Sequence, residues 1–438
     1  MGDSLAVTSD LKNMRVSLLS AGSRGDVQPF LALAWALRER GHNVRLAVPA
    51  NFLALCAQAG FEAYSLGVDA EAMLASDLGR QALIRGDLLA FAQLLLQVDR
   101  LHDAQANRGA NAAMEGADVA VSNVLVAERA AAFATKGRIP LALVCAAPLA
   151  PTGAFPCPLL TTWNPGIGWL NRWVSELILR LVIWTVRHAI RDLRASLGVV
   201  PFRRHALSEA DRRGGLVLHA WSEALVERPF DYAPNHLVTG FWGVPPGLRA
   251  AMGETELDPA ANAWLDAGPR PTFFGFGSMP VQDPQRTLTD IATAAERTGT
   301  RALVSAGWSN LNATDTPTLL VRRTFDHARV MPRCAGAIHH GGAGTTAASL
   351  TAGLPTWVCA VLAEQPWWGA RCAALGVGGW SRLRDADADR FTRAIQVLQR
   401  PEAIARAAAI GERLRAEDGL ATAVSICESV LPTTPPPD

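Results

Sequence analysis

The sequence predicts an α/β protein in which two Rossmann-like, doubly wound parallel-sheet domains face each other across a cleft. In the first half, an apolar strand at residues 15–20 is followed by a glycine-containing loop at 22–29, a helix at 30–40 and a strand at 44–48. This order makes a βαβ unit, which implies a parallel sheet. The alternation restarts near residue 272, so the chain predicts two such domains.

The second half repeats short apolar strands and amphipathic helices. We predict strands at residues 272–276 and 302–305 on either side of a helix at 290–297. Further apolar strands are predicted at 337–339 and 356–359. In doubly wound sheets, ligands bind beyond the carboxyl ends of the strands. We therefore expect the functional residues in the loops that follow these strands.

A Pro-Pro-Gly segment separates the two halves and predicts a linker. We place the N-terminal domain at residues 14–240, the linker at 241–258 and the C-terminal domain at 259–431. The last helix of the C-terminal domain is expected to pack back on the N-terminal domain. The proline-rich tail at 432–438 is expected to be disordered.

Composition narrows the class of protein. The 438 residues are 49% hydrophobic and 18% charged, which is typical of a chain with large buried cores. Because Lys and Arg number 41 against 40 Asp and Glu, the charge balance offers no reason to expect a nucleic-acid partner. Seven scattered cysteines without a Cys-x-x-Cys pair favour neither a disulfide framework nor a zinc site. With no secretory signature in residues 1–13, we expect a cytoplasmic monomer or weak dimer.

Residues 169–190 resemble a membrane segment in their apolar content, yet Arg172, Glu176, Arg180 and Arg187 interrupt the stretch. A spanning helix needs about 20 residues that are mostly free of such charges. We therefore predict an amphipathic helix. Packing against the domain core, a wall for an apolar ligand and a transient contact with a membrane surface all remain open.

The most informative segment is the run of residues 339–346, His-His-Gly-Gly-Ala-Gly-Thr-Thr. Glycines at a strand-to-helix turn let the backbone approach a phosphate, and the helix N-terminus offers free N–H groups. His340 and the threonine hydroxyls add donors. The lysine of a P-loop and the spacing of a dinucleotide fingerprint are both missing. An anion site is therefore predicted, with an ordinary glycine turn as the alternative.

Three further motifs point to sugar chemistry. Ser278 ends a Gly-Phe-Gly-Ser turn after the first strand of the second half, where it could face the same anion. Glu364 and Gln365 place a carboxylate beside a carboxamide, a pair that can bind adjacent sugar hydroxyls. Asp26 lies in the first loop, opposite the anion site, and could accept the proton of an attacking hydroxyl. The alternatives are a turn for Ser278 and helix-capping roles for Glu364 and Asp26.

The acids Asp385, Asp387 and Asp389 have the Asp-x-Asp spacing used by metal-dependent glycosyltransferases of another fold. They precede a predicted helix at 391–398, where acidic residues stabilise the N-terminus. We therefore interpret them as helix-start residues and predict no metal site.

Taken together, these motifs resemble the family 1 glycosyltransferases of the GT-B fold, especially bacterial antibiotic and macrolide glycosyltransferases and sterol glucosyltransferases. The resemblance rests on residues 22–49, 273–280, 328–358 and 364–378. It implies an N-terminal acceptor-binding domain and a C-terminal nucleotide-sugar-binding domain. It also implies an inverting transfer that uses no metal or other cofactor.

The resemblance assigns roles residue by residue. Asp26 would be the general base. Arg24 and Gly25 would line the cleft near the phosphates, and Glu364 and Gln365 would contact the sugar. The diphosphate would be held by Ser278, His340, Gly342, Ala343, Gly344 and Thr345.

Three positions depart from the plant members of this family. In the plant members the general base is a histidine that is oriented by an aspartate. In this chain Asp26 stands in place of the histidine, and Asn123 stands in place of the aspartate. Glu364 stands where an aspartate is usual, and Ala348 stands where a glutamate binds the ribose. UDP is therefore not favoured over dTDP, and the sugar is left open.

The acceptor region is expected in variable loops of the N-terminal domain at residues 74–96 and 148–163, and along the helix at 173–184. Trp163 and Trp173 are its candidate contacts. These segments are rich in Leu and Trp, which favours an apolar acceptor such as a polyketide, macrolide or steroid. A lipid-linked acceptor, a nucleotide-sugar epimerase and a non-catalytic nucleotide-sugar-binding partner remain as alternatives.

Overall fold

The computed structural model describes residues 13–200, 204–254, 257–309 and 311–429. Within them, two parallel β-sheets form the centres of two α/β domains. The first sheet has the strand order β3-β2-β1-β4-β5-β6-β7, and the second has the order β10-β9-β8-β11-β12-β13. The strands are β1 (Arg15–Leu19), β2 (Asn43–Val48), β3 (Glu62–Ser65), β4 (Val119–Asn123), β5 (Leu141–Cys145), β6 (Val217–His219), β7 (His236–Val238), β8 (Thr272–Gly275), β9 (Ala302–Ser305), β10 (Leu319–Arg322), β11 (Gly336–His339), β12 (Thr356–Ala360) and β13 (Gly378–Arg382).

Helices cover both faces of each sheet, so the doubly wound α/β fold predicted from the sequence is confirmed. The helices are α1 (Arg24–Glu39), α2 (Leu53–Gln58), α3 (Ala70–Ala75), α4 (Asp77–Arg85), α5 (Leu88–Met114), α6 (Ala127–Gly137), α7 (Gly168–Ser196), α8 (Ala206–Arg213), α9 (Pro246–Ala251), α10 (Pro259–Asp266), α11 (Pro284–Arg297), α12 (His327–Val330), α13 (Ala343–Thr351), α14 (Gln365–Ala374), α15 (Ala388–Leu398), α16 (Pro401–Arg415) and α17 (Gly419–Ser429).

The first βα connection differs from the prediction. The expected loop at 22–29 is wrong, because α1 begins at Arg24 and carries Pro29 inside it. Ser23 precedes the helix in an extended conformation, and its backbone N–H donates to the side chain of Asp26. Capping of this kind satisfies an N–H group that the first helical turn leaves without a partner. Asp26 therefore lies on a helix and not in a flexible loop.

Two further segments are more ordered than predicted. Residues 74–96, expected to be variable loops, lie mostly in α3, α4 and the start of α5. Asp69, Ser76 and Asp87 accept hydrogen bonds from the first turns of these three helices. The predicted linker at 241–258 contains α9. The predicted tail at 432–438 lies outside the described residues.

The chain crosses between the domains twice, and the two crossings lie against each other. A Cβ on Gly419 would lie 2.5 Å from the carbonyl oxygen of Phe241, so the backbones are in close contact. After this crossing, α17 packs on the N-terminal domain. Its Ala423, Val424 and Cys427 are buried in the same core as residues of β1, α1 and β2.

The domains also meet on the side of α3 and α4. Leu74 and Leu83 from these helices form a buried apolar cluster with Met279 and Leu362, which follow β8 and β12. Arg384 donates a 2.8 Å hydrogen bond to the carbonyl oxygen of Arg85. The loops after β8 and β12 are therefore held against the N-terminal domain at one end of the cleft.

The predicted amphipathic helix at 169–190 is confirmed as part of α7. One face of α7 is buried through Asn171, Ser175, Leu179 and Ile190. In the portion of the chain that the structure describes, no helix combines the length and apolarity needed to cross a bilayer.

Candidate active site

Asp26 lies in the first turn of α1, where β1 ends. Its Oδ2 atom accepts hydrogen bonds from the backbone N–H of Ser23 at 2.8 Å and from the Ser23 hydroxyl at 3.1 Å. Burial raises the pKa of Asp26 to about 6, and these two hydrogen bonds oppose the rise. A carboxylate with this pKa is ionised near neutral pH and still basic enough to take a proton.

Strand β4, which pairs with β1, holds the backbone turn that precedes Asp26. Asn123, at the end of β4, donates to the carbonyl oxygen of Ala21 at 2.7 Å and to the Ser20 hydroxyl at 3.1 Å. The Ser20 hydroxyl in turn donates to the backbone carbonyl of Asp26 at 2.9 Å. Asn123 therefore positions the βα turn, while Ser23 holds the carboxylate directly.

Leu125 lies beside Asp26 and was not singled out from the sequence. A Cβ at Gly22, whose φ is +112°, would lie 2.4 Å from Oδ2 of Asp26 and 2.9 Å from Cδ1 of Leu125. Both side chains thus cover the same glycine, and that of Leu125 is exposed. An exposed apolar side chain next to a carboxylate can contact the apolar part of a bound alcohol.

Across the cleft, two glycine turns converge on His340. A Cβ on Gly277 would lie 2.6 Å from Cε1 of His340, and a Cβ on Gly342 would lie 2.6 Å from its Nε2. The turn after β8 and the turn after β11 therefore enclose one imidazole ring, because β8 and β11 are adjacent strands. Ser278 is next to Gly277, so it lies at the same site.

The N-terminus of α13 faces this site. Gly342 precedes the helix, and Ala343, Gly344 and Thr345 form its first turn, whose N–H groups have no partner inside the helix. Apart from its chain neighbours and the nearby backbone of α13 itself, no atom lies within 4 Å of the position that a Cβ on Gly344 would take. This end of the helix therefore combines open space, backbone donors and a favourable dipole, which suits an anion.

The two histidines before α13 have different environments. His339 is buried and accepts a 3.0 Å hydrogen bond from the backbone N–H of Gly341, so it holds the loop. The Nδ1 atom of His340 lies 3.5 Å from the carbonyl oxygen of Gly275. Burial lowers the pKa of His340 to about 4, so the ring is neutral at pH 7. An anion bound at α13 would raise this pKa and favour a proton on Nε2.

Glu364 and Gln365 begin α14, after β12. The Oε1 atom of Gln365 accepts hydrogen bonds from the backbone N–H groups of Val361, at 2.8 Å, and Leu362, at 3.4 Å. Its carboxamide oxygen is thus used to hold the loop, and its NH₂ group is the part that can serve a ligand. Ala363 has a φ of +57°, a conformation that is costly for alanine and places Glu364 at the start of the helix.

Glu364 and Asp26 come from opposite domains and interact electrostatically. The pKa of Glu364 is raised to about 7, first by burial and then by the negative charge of Asp26. The negative charge of Asp26 thus disfavours ionisation of Glu364. The residues predicted as sugar contact and base therefore lie on facing walls of one cleft.

Arg24 adds positive charge to the donor side of the cleft, and the buried, neutral ring of His327 lies near it. Arg24, at the start of α1, forms an ion pair with Glu254. The pKa of His327 is lowered to about 4, first by burial and then by the charges of Arg24 and His340. Glu254 was missed because it lies 230 residues away from Arg24 in the sequence.

The candidate acceptor residues are distributed differently. Trp163 and Trp173 are both mostly exposed, on the segment before α7 and on its solvent side. Phe155, from the predicted acceptor segment 148–163, packs against Trp367 of α14 with ring centroids 5.5 Å apart. Phe155 therefore brings this segment to the cleft, whereas Trp163 and Trp173 face solvent.

The Asp-x-Asp segment is part of a helix start, as predicted. Asp387 accepts a 2.8 Å hydrogen bond from the backbone N–H of Arg390, and Asp389 forms a 2.7 Å ion pair with Arg297. Within residues 13–200, 204–254, 257–309 and 311–429, no group of three or more His, Cys, Asp or Glu side chains is arranged to hold a metal ion.

Comparisons with known proteins agree with this architecture. The N-terminal domain model of glycosyltransferase family 28 matches residues 16–150. The C-terminal domain model of proteins like erythromycin biosynthesis protein CIII matches residues 321–428. Structurally similar proteins include a kitacinnamycin glycosyltransferase, 19% identical with a TM-score of 0.69 over 96% of this chain and 100% of that chain. A calicheamicin glycosyltransferase is 17% identical with a TM-score of 0.69 over 97% of this chain and 100% of that chain. At these identities the two structures establish the GT-B fold.

Sequence relatives give the family. Two sterol 3-beta-glucosyltransferases of Arabidopsis thaliana are 31% and 32% identical to this chain, each over 96% of it. The match spans 69% and 66% of their respective lengths. An uncharacterized glycosyltransferase of Mycobacterium leprae is 30% identical over 92% of this chain and 94% of that relative. The chain belongs to the family 1 glycosyltransferases of the GT-B fold, and it is a glycosyltransferase.

Proposed function

We propose that this glycosyltransferase moves a sugar from a UDP- or dTDP-sugar to a hydroxyl group of a hydrophobic acceptor, with inversion and without a metal ion. The acceptor class is a steroid, macrolide or polyketide. Asp26 is the general base. The observation that carries the proposal is the contact between α1, whose first turn holds Asp26, and α13, whose N-terminus forms the anion site.

The donor side is supported by the convergence of two loops on one imidazole. His340 and the first turn of α13 adjoin each other, and Ser278 follows Gly277, which packs on the same imidazole ring. As the sugar leaves, negative charge grows on the diphosphate, and fixed donors at a helix N-terminus stabilise it. A structurally similar glycosyltransferase, 16% identical with a TM-score of 0.61, was solved in complex with dTDP.

The acceptor side is supported by the chemistry around Asp26. An alcohol is a weak nucleophile until a base takes its proton as the oxygen attacks. Oδ2 of Asp26 is held by Ser23, which leaves Oδ1 to receive that proton. Attack from this wall, opposite the leaving diphosphate, inverts the anomeric centre in one displacement.

The apolar acceptor is supported by the side chains that border this wall. Leu125 adjoins the base, and Phe155 borders the cleft at α14. The Arabidopsis relatives are named for transfer to sterols. Glu364 in place of an aspartate extends the sugar-contacting carboxylate by roughly one C–C bond, about 1.5 Å. Because the longer Glu364 side chain changes the position of this carboxylate, the donor panel below includes several sugars.

A donor and acceptor panel tests the proposal. UDP-glucose, dTDP-glucose and a dTDP-deoxysugar are each incubated with a sterol, a macrolide and an aromatic polyketide, with and without EDTA. The products are identified by mass spectrometry and their anomeric configuration by NMR. We expect a glycoside of opposite configuration to the donor, at the same rate in EDTA.

Other outcomes would replace parts of the proposal. Retention of the anomeric configuration would exclude a mechanism with a single displacement. Loss of activity in EDTA would show that the reaction requires a metal ion. A new nucleotide sugar formed without an acceptor would indicate an epimerase. Glycosylation of a polyprenyl phosphate-linked acceptor alone would indicate a lipid-linked substrate. Nucleotide binding without any product would indicate a non-catalytic partner.

A further inference from the structure

The solvent side of α7 carries an unusual row of large apolar side chains. Trp169, Trp173, Leu177, Leu181 and Trp184 are 73%, 56%, 38%, 51% and 60% exposed. They recur at helical spacing, opposite the buried face formed by Asn171, Ser175 and Leu179. From Trp169 to Trp184 the row extends over about 22 Å of helix, and Trp163, 72% exposed, lies just before it. We call these six residues the α7 surface.

The charge next to the α7 surface is mainly positive. Arg180, Arg187 and Arg191 are exposed on the same helix, and the guanidinium of Arg187 lies 4.4 Å from the ring centroid of Trp184. The acidic Glu176 accepts a hydrogen bond from Ser208 and is directed toward α8. Asp192 lies at the far end of the helix and pairs with Arg191. Tryptophans and leucines flanked by arginines are typical of helices that lie in the interface of an anionic bilayer.

The position of the α7 surface relates it to the cleft. Gly153 packs on Gly168 at the start of α7, where a Cβ on Gly153 would lie 3.1 Å from the carbonyl oxygen of Gly168. Two residues further on, Phe155 contacts Trp367 of the C-terminal domain. The row of tryptophans thus begins next to the segment that borders the cleft.

We propose that the α7 surface docks the protein on anionic phospholipid membranes, with the helix lying in the plane of the interface. A second copy of the chain is less suited to this surface. A two-fold contact along α7 would pair this mainly positive surface with an identical surface, which offers the arginines no complementary charge. Phosphate headgroups complement the arginines, and the headgroup region accommodates exposed tryptophans. An apolar acceptor dissolved in the membrane would then have a short path to the cleft.

Vesicle flotation of the full chain tests this proposal. The vesicles contain phosphatidylcholine alone or phosphatidylcholine with phosphatidylglycerol, and no donor or acceptor is present. We expect binding to the anionic vesicles that weakens with salt. The double variant Trp169→Ala/Trp184→Ala should lower the partition coefficient about tenfold or more. Replacing Arg180, Arg187 and Arg191 with Glu should abolish the preference for phosphatidylglycerol.

A matched control distinguishes binding by the α7 surface from nonspecific binding by any exposed apolar residue. Ile404 is an exposed apolar residue on α16 of the C-terminal domain, 45% exposed, and Ile404→Ala should bind vesicles like the parent. Thermal unfolding midpoints should be equal for all variants because the changed side chains face solvent. Absence of vesicle binding, or binding that the tryptophan variant retains, overturns the proposal. A dimer that Trp169→Ala/Trp184→Ala dissociates in sedimentation velocity, without vesicle binding, would assign the surface to self-association.

The vesicle measurement is independent of catalysis. A protein that transfers sugar but does not float refutes only the membrane surface. A protein that floats but forms no glycoside refutes only the proposed reaction.

Discussion

The two walls of the cleft are built differently. On the C-terminal side, the residues assigned to the donor lie within a few residues of a strand end and a helix start, at β8, β11 and β12. On the N-terminal side, Asp26 has such a position, but the rest of the wall includes the irregular segment 146–167 and long helices. A diphosphate can be held by backbone geometry that hardly varies. An apolar acceptor depends on side-chain surface, which short motifs do not describe.

The sharpest test of this contrast is Asp26→Asn. Asparagine keeps an oxygen that can accept the Ser23 N–H but cannot act as a base, so kcat should fall by about 10²–10⁴. The dissociation constant for the nucleotide, measured by calorimetry, should stay within a factor of two or so because the donor wall is unchanged. Full activity in this variant would remove Asp26 from the mechanism.

The same variant has a predicted effect on stability. Because the folded pKa of Asp26, about 6, lies above its ordinary value of 3.8, ionisation of the carboxyl opposes folding. The contribution is fully favourable below pH 3.8 and is lost as the pH rises through 6. Thermal unfolding at pH 8 should therefore show the asparagine variant to be at least as stable as the parent.

On the donor wall, Gly342 and Gly344 should respond differently to alanine. In Gly342→Ala the new Cβ would lie 2.6 Å from Nε2 of His340 and displace the ring. Loss of a charge-assisted hydrogen bond of about 1.5–3 kcal/mol should weaken nucleotide binding by about tenfold to a hundredfold. Gly344→Ala meets no protein atom within 4 Å apart from its chain neighbours and the nearby backbone of α13, and it should raise the free energy of unfolding by about 0.5–1 kcal/mol.

Nucleotide affinity distinguishes the two alanine variants further. If the diphosphate occupies the open space at Gly344, the Cβ there weakens binding although the protein is more stable. Unchanged affinity in both variants would place the diphosphate elsewhere than the start of α13.

The dependence of kcat/KM on pH tests the role of Asp26 on the acceptor wall. Asp26 must be ionised to accept a proton, so log kcat/KM should rise with pH up to about 6 and then level off. Below that pKa the rate should fall about tenfold per pH unit. In Asp26→Asn this dependence of kcat/KM on pH should disappear. The dissociation constant for the nucleotide alone should not change over the same pH range. A parent profile without this dependence would contradict the assignment of the base.

The smallest expected effect is at Leu125. Leu125→Ala removes part of an apolar contact worth about 1 kcal/mol, so KM for a hydrophobic acceptor should rise about fivefold. Because Leu125 is exposed in the free protein, the unfolding midpoint should hardly change. KM for the donor serves as the internal control. An equal rise in both KM values would show that the side chain does not belong to the acceptor wall.

The sequence was most informative where apolar runs end in glycine turns. Strands β1, β2, β9 and β12 were predicted nearly to the residue because most of the residues in each strand are apolar and buried. Strand β3 was missed because its residues are polar or half-buried. The start of α1 was placed too late because Pro29 resembles a helix boundary, whereas the capping contacts of Ser23 and Asp26 begin the helix earlier.

The site was predictable in its parts but not in its assembly. Gly277, Gly342 and His340 meet because β8 and β11 are neighbours, which the order of strands along the chain does not state. The ion pair of Arg24 with Glu254 joins residues that are 230 positions apart. Trp163 and Trp173 were assigned by composition alone, and composition does not say which side of a helix faces the cleft.

The return of α17 to the N-terminal domain has a consequence for the making of this protein. A ribosome releases α1, with Asp26 on its first turn, almost four hundred residues before α17. Until α17 emerges, the apolar surface of α1 that it covers stays open, and Glu428 cannot reach Arg40 and His42. The core of the N-terminal domain is thus completed only after the strands and helices of the C-terminal domain, β8 to α16, have been synthesised.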